Sequence, residues 1–364
     1  MPRAPAKTFN IVILSCVVII LAFSVLMIYS ATNSVEYRSL YKTFYLRQIL
    51  WAAIGLGVMF VVSYINYGTW IEIADKLYWF TVVLLILLLF FRGSMRWFHI
   101  GPFTFQPSEL AKFTMPLALS RFILDNKGKA EVLEGLIKIG IMTAIPLVLI
   151  IIQPDLGTGL VFIPLFFCLL YIGGVSIRYL GYLITLMAIF APVYYFTLMK
   201  SYQKNRLLSF LNPESDPLGS GYSVIQSKIA VGSGSIFGKG FMKGTQSQLN
   251  FVPEHHTDFI FAVVGEEMGF LLVFILLLTY LMMILEGLKI AMHAKDKAGM
   301  LLASGVVSLL TAQLFMNIGM TIGILPVVGV PLPLLSYGGS SLLFTMALIG
   351  ILLNVHSSIK RSSS

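Results

Sequence analysis

In the stretch NFVPEHHTDFIFAVVGEEMGF, residues 250–270, Asp258 stands where a polar loop gives way to a long apolar run. A carboxylate at a helix start is kept ionised by the positive end of the helix dipole. Here it has three titratable neighbours, Glu254, His255 and His256. That is the equipment of a general base, or of a ligand to a divalent cation such as Mg²⁺ or Mn²⁺. The same residues would also start the helix in the ordinary way, Thr257 as N-cap and Asp258 at the first helical position. Glu109 and Lys112, in QPSELAK, are three apart and so share one helix face within an apolar segment. A carboxylate and an ammonium at membrane depth face a polar cavity or another helix, which makes them functional candidates. Asp155, in QPDLGTG, occupies a tight turn between two apolar runs, where it caps the next helix or joins the same polar face. Arg206, in YQKNRL, offers a guanidinium fork suited to phosphate oxygens.

The elements that must position these groups follow from composition. Of 364 residues, 57% are hydrophobic and 11% charged, against roughly 45–50% and about 25% in soluble domains. The chain therefore reads as an all-α integral membrane protein, because a helix satisfies its own backbone inside the bilayer. Ten apolar runs, each near the roughly 20 residues that cross a hydrocarbon core, lie at about 9–30, 47–65, 77–91, 108–124, 136–152, 156–174, 177–198, 258–285, 300–324 and 340–356. They make one polytopic membrane domain over 1–364, with a large loop at about 199–257 between the seventh and eighth spans. The first run is read as a retained span, since its apolar core is longer than a signal peptide's and no small-residue cleavage site follows. Cys16 and Cys168 both fall in spans and read as small buried hydrophobes.

Lys and Arg set the orientation. With a cytoplasmic N-terminus, that side collects Arg3, Lys7, Lys76, Arg121, Lys127, Lys129, Lys138, Arg178, Lys289, Lys295, Lys297, Lys360 and Arg361, while the short loops opposite hold Arg38, Lys42, Arg47, Arg92 and Arg96. Both termini are thus expected in the cytoplasm, and Asp258 on the outer face. Arg47 stands at a membrane edge, where snorkelling is its ordinary role. Trp97 reads as an interfacial aromatic and Ser108 as a helix cap.

Three further stretches need a reading. From Tyr222, the residues Tyr222, Ile225, Ile229 and Ala230 follow helical spacing and suggest a short interfacial helix able to roof a cavity. The run Gly232 to Gly240 resembles a phosphate-binding loop but has Ser233 where the first glycine belongs and Gly240 where Ser or Thr belongs. It reads as a flexible outer loop, and neither a nucleotide nor a nucleic acid is expected. Leu325 to Ser341, LPVVGVPLPLLSYGGSS, is too broken by Pro and Gly to be helical, so it is expected to line a cavity with amides and hydroxyls, Ser336 among them.

The segments RWFHIGPFTFQPSELAKF, QPDLGTG, NPESDPLGSGYSVIQSKIAVGSG, GTQSQLNFVPEHHTDFIFAVVGEE and ILPVVGVPLPLLSYGGSS occur in an order that resembles the shape, elongation, division and sporulation (SEDS) family. The resemblance covers nearly the whole chain and is closer to the elongation (RodA) branch than to the division (FtsW) branch. It implies a ten-helix peptidoglycan glycosyltransferase of the bacterial cytoplasmic membrane that polymerises lipid II and works with a class B penicillin-binding protein. It also implies that Asp258 is the catalytic aspartate, that Glu109 and Lys112 are a cavity ion pair, and that Asp155 matches the QPD aspartate. By the same resemblance Gln203 and Arg206 are the polar pair opening the large loop, and Arg47, Arg96 and Trp97 lie on the outer face near the cavity.

The chemistry implied needs a base, cations for a departing pyrophosphate and a lipid-accessible groove. Asp258 answers the first requirement, with Lys112, Arg206 and Arg47 for the second. Two other readings stay open: a flippase carrying the lipid headgroup through the same cavity, and a non-catalytic scaffold of the elongation machinery. The buried-charge signature of Glu109 and Lys112 argues against the scaffold.

Overall fold

The computed structural model describes residues 9–32, 43–90, 96–100, 103–126, 133–215, 221–249 and 251–362. Arg3, Lys7, Arg38, Lys42, Arg92, Lys127 and Lys129, used above for orientation, lie outside the described residues. The chain runs through α1 (Ile11–Thr32), α2 (Phe44–Tyr64), a short α3 (Tyr67–Glu72) and α4 (Ala74–Phe90) to a two-stranded hairpin. The hairpin pairs β1 (Phe98–Ile100) with β2 (Phe103–Phe105), Phe98 opposite Phe105. Then come α5 (Pro107–Asp125), α6 (Leu133–Ile152), α7 (Leu156–Gly173), α8 (Ile177–Val193), α9 (Ser201–Leu211), α10 (Tyr222–Ser233), α11 (Thr245–Gln248), α12 (Ile260–Met292), α13 (Lys297–Thr321) and α14 (Gly339–Ser362).

Among the described residues, eight helices are long and apolar enough to cross a bilayer: α1, α2, α6, α7, α8 with its continuation to Leu198, α12, α13 and α14. The other two expected spans are also helices, α4 and α5. α4 has 17 residues, and α5 carries Glu109 and Lys112. α5 can hold that ion pair because protein surrounds it: it packs against α4, α7, α13 and α14, and most of its side chains are buried. α8 is the opposite case, since Leu180 alone of its residues is buried. Its remaining apolar surface is left for lipid.

α12 is kinked at Gly269, whose φ of 70° and ψ of −178° break the helical ladder. A break there frees the carbonyls of Glu266 and Glu267 and the amides of Phe270 and Leu271, and these need partners. The run at 234–240 supplies all four. Lys239 N donates to Glu266 O and Gly240 N to Glu267 O, each at 3.0 Å, while Phe270 N donates to Ser235 O at 2.9 Å and Leu271 N to Ile236 O at 3.0 Å. The flexible-loop expectation for this run is therefore wrong. Its glycines serve close packing: a Cβ on Gly234 would stand 1.9 Å from Gly265 O, and one on Gly238 2.2 Å from Glu267 O. The two glutamate side chains finish the attachment. Buried Glu266 accepts from Lys239 Nζ at 2.7 Å and from the amides of Gln246 and Ser247. Glu267 accepts from Ser30 Oγ of α1 at 2.6 Å and from Met242 N at 3.0 Å.

The interfacial helix expected from Tyr222 exists as α10, but it turns a different face inward. Val224, Ser227 and Ala230 are buried against α12 and α13, with Ser227 Oγ donating to Thr321 O at 2.9 Å, and Ile229 is exposed. It braces those helices and does not roof the cavity described next. Cys16 and Cys168 are free thiols; Cys16 is buried as expected, while Cys168 is only partly so.

Candidate active site

A cavity of about 440 Å³ opens at one end of the helix assembly. Its walls come from five places in the chain: Arg96 and Trp97 before the hairpin, Gln106 and Glu109 at the start of α5, Asp155 and Thr158 at the start of α7, Arg206 on α9, and Glu254, Thr257 and Asp258 ahead of α12. The stretch from Gly329 to Ser341 closes it, as its Pro and Gly content led us to expect. Glu109, Asp155, Arg206, Arg96, Trp97 and Asp258, separated by up to 162 positions in sequence, are thus brought to one chamber.

Asp258 does not sit at the first helical position. α12 begins at Ile260, and residues 253–259 form turns. Thr257, expected as the cap, spends its hydroxyl on Glu254 O at 3.2 Å, and Phe259 N reaches back to Glu254 O at 3.3 Å. The turn is sewn to the C-terminal third through three successive carbonyls. Tyr337 N donates to His256 O at 3.0 Å, Ser336 Oγ to Thr257 O at 2.6 Å, and Asn317 Nδ2 to Asp258 O at 2.8 Å. The Asp258 carboxylate lies against Gly329, where an added Cβ would stand 3.2 Å from Oδ2. Burial pushes the Asp258 carboxyl up to about 6, helped by the Glu254 and Asp155 charges and opposed by Arg206 and Arg96. A group titrating there is ionised at neutral pH and still basic enough to take a proton. His256 is no competitor, because burial and the neighbouring His255 bring it down to about 4. His255 itself is buried between the carbonyls of Val252 and Ala31, 3.0 and 2.8 Å from its ring nitrogens.

Asp155 fills both roles considered for it. Its Oδ1 accepts from Thr158 N at 3.3 Å, capping α7, and its Oδ2 accepts from Gln106 Nε2 at 2.9 Å and Ser108 Oγ at 3.0 Å. Ser108 is therefore not the cap of α5, which starts at Pro107 with Gln106 in the cap position. Glu109 and Lys112 pair at 2.6 Å with both side chains 3% exposed. Only Glu109 reaches the cavity wall; Lys112 lies behind it. Arg96 is held by its own donors, Nε to Gln153 O at 3.2 Å and Nη2 to Pro154 O, which fixes it at the α6–α7 turn.

Besides Lys112, three expected site residues do not line the cavity. Gln203 is buried, with Oε1 accepting from Lys200 N at 3.0 Å and Nε2 donating to Tyr202 Oη at 3.1 Å, so it closes the start of α9. Ser336 is committed to Thr257 O and to Leu332 N. Arg47 hydrogen-bonds Tyr337, whose phenol burial raises and Arg47 lowers. It reaches the cavity through that ring, which stacks on Phe44 with centroids 4.6 Å apart.

The family described as cell cycle protein, named for FtsW, RodA and SpoVE, matches residues 10–361. This chain belongs to that family. It is 44% identical over 329 residues to the peptidoglycan glycosyltransferase MrdB of Escherichia coli K12, covering 87% of this chain and 86% of that protein. It is 36% identical over 365 residues to the probable peptidoglycan glycosyltransferase FtsW of Geobacter metallireducens, covering 97% and 96%. Among solved structures, its fold matches a chain from a study of structural coordination of polymerization and crosslinking by a peptidoglycan synthase complex, with a TM-score of 0.82, 29% identity and coverage of 97% and 99%. It also matches the rod shape determining protein RodA of Thermus thermophilus, with a TM-score of 0.69, 29% identity and coverage of 96% and 97%.

Some working parts of this FtsW/RodA/SpoVE member escaped the reading of the sequence. Asn317, Glu266 and Glu267 lie within apolar helical runs, and polar residues at such depth were the available signal. Among the described residues no three His, Cys, Asp or Glu side chains gather into a group able to hold a metal ion, so a divalent cation on Asp258 would take most of its ligands from substrate phosphates and water. Asp155 is engaged by three protein donors and Glu109 by Lys112.

Proposed function

We propose that this chain is a peptidoglycan glycosyltransferase that polymerises lipid II into glycan strands on the outer face of the bacterial cytoplasmic membrane during cell elongation. The observation that carries the proposal is the Asp258 cavity: a carboxylate poised near neutrality, facing two guanidinium groups, at the membrane end of a helical fold. The names of the MrdB and FtsW relatives supply the reaction class.

In the reaction, a hydroxyl of the acceptor sugar attacks the anomeric carbon of the donor. The new carbon–oxygen bond forms as the bond to the lipid pyrophosphate breaks. Asp258 accepts the hydroxyl proton in the transition state, where the attacking oxygen gains most by losing it. Arg206 and Arg96 stabilise the negative charge that grows on the departing pyrophosphate, and Arg206 can do so through two parallel N–H donors. The Glu109–Lys112 pair maintains a polar wall within the membrane without placing a net charge there.

The Lys and Arg distribution supports cytoplasmic termini and an outward-facing cavity. A class B penicillin-binding protein is the partner we propose, in keeping with the polymerization and crosslinking complex to which the fold is similar. The test is reconstitution of the purified chain in liposomes with lipid II. Glycan polymer that is lost in Asp258→Asn supports the enzyme. Headgroup movement between leaflets with no polymer would instead identify a flippase.

A further inference from the structure

Asn317 is fully buried in the last turns of α13, far in sequence from every residue assigned a chemical role. Its side-chain amide donates twice, to Asp258 O at 2.8 Å and to Val330 O at 2.7 Å. These acceptors belong to two stretches of the cavity lining that are far apart in sequence. One is the backbone of the aspartate itself, and the other lies between Gly329 and Pro331, which line the chamber beside it. The orientation of the amide follows from those contacts, since only a nitrogen can donate to two carbonyl oxygens. Asn317 Oδ1 has no hydrogen-bond partner among the described residues, so the side chain acts here as a donor alone. The other ties to the turn, Tyr337 N and Ser336 Oγ, hold His256 and Thr257. Among the side-chain bonds found, Asn317 is the one placed on Asp258.

We infer that Asn317 is the positioning residue of the reaction: a single amide nitrogen ties the Asp258 turn to the Gly329–Pro331 stretch and fixes where the Asp258 carboxylate stands against that part of the cavity lining. The inference rests on Asp258 being the base. Asn317 touches no reacting atom. It sets where the base stands, and a displacement of about 1 Å at a reacting centre costs on the order of 10²-fold in rate.

The test uses the full-length chain in liposomes with lipid II, with rates taken per folded, monodisperse protein. Asn317→Leu keeps the volume and removes both donors at any pH; Asn317→Ala removes shape and donors together; Asn317→Ser retains one short donor. The expected result at pH 8 is a kcat about 10²-fold down in both Asn317→Leu and Asn317→Ala, with KM within about twofold of the parent. Asn317→Ser falls between them and the parent, and serves as the readable variant where the others fold poorly. Parent-like kcat in Asn317→Leu with loss only in Asn317→Ala would reduce Asn317 to a space-filling residue and overturn the inference, as would losses confined to KM. Asp258→Asn is measured in parallel. If it stays active, the base assignment is what fails; if it is dead while Asn317→Ala has normal kcat, the positioning role is what fails.

Discussion

Asp258→Asn exchanges an ionisable oxygen for an amide and leaves the shape of the side chain alone, so it separates charge from packing. In the fold, Asp258 titrates at about 6 against an ordinary 3.8, mainly because burial disfavours the carboxylate. The difference is about 2 pH units at about 1.4 kcal/mol each, so keeping Asp258 ionised in the folded protein costs on the order of 3 kcal/mol. Below about pH 4 the carboxyl is protonated in both folded and unfolded chains and the cost is absent. It grows between the two values and is complete above about 6. Asparagine carries no such cost at any pH. The variant should therefore melt above the parent at pH 8, by about 6 °C if each kcal/mol moves a chain of this size by roughly 2 °C, and the gap should close by pH 4. Polymerisation should fall by 10² to 10⁴-fold, the usual worth of a general base. The assay is a detergent thermal melt at pH 4, 6 and 8, run beside lipid II polymerisation on the same preparations. A variant that melts at or below the parent at pH 8 would refute the argument that the carboxylate is held against its solvation preference. In the parent, the rate should rise with pH through about 6 as the base ionises.

Glu109→Gln and Lys112→Met each leave a buried charge uncompensated, at about 3–5 kcal/mol, so each single variant should yield less folded protein than the double, read by size-exclusion recovery. Arg206→Lys keeps charge but loses the fork; its polymerisation rate should fall about 10-fold or more, and a rate and lipid II dependence equal to the parent's would take Arg206 out of the site. Gly329→Ala puts a methyl group at φ +73° and 3.2 Å from Asp258 Oδ2, so kcat should drop while lipid II KM holds, as steady-state kinetics would register. Removal of divalent cations with EDTA separates the two readings of Asp258: a base working alone leaves the rate within about twofold, whereas a collapse reversed by Mg²⁺ or Mn²⁺ marks Asp258 as a cation ligand.

Charge inside apolar sequence was the readable signal. Asp258, Glu109, Lys112, Asp155 and Arg206 could be singled out because water or a partner must meet each of them, and four of the five do line one chamber. The helical spans were legible for the same reason, since their length and hydropathy are local properties. What failed depended on which partner each group takes in the folded chain, near or far in sequence. The start of α12 slipped to Ile260 because Thr257 finds Glu254 instead of the helix amides. Gln203 looked available for ligand and is absorbed by the backbone of Lys200, three residues away. The glycines at 234 and 238 looked like freedom; only the path of α12, about 30 residues on, turns them into points of close contact. No local pattern announces which carbonyl a buried Asn317 will choose.

The way the 234–240 segment completes α12 limits how the chain can change length. Four backbone groups at the Gly269 break are satisfied in register by that segment, two as donors and two as acceptors. Adding or deleting one residue between Ser235 and Gly240 would shift one pair of bonds relative to the other and orphan at least two peptide groups at the membrane edge, about 1–3 kcal/mol apiece. Insertions and deletions, ordinarily the freest form of variation in a loop, are therefore closed to this one. Although it lies outside the ten spans, its residue count is as fixed as that of a transmembrane helix.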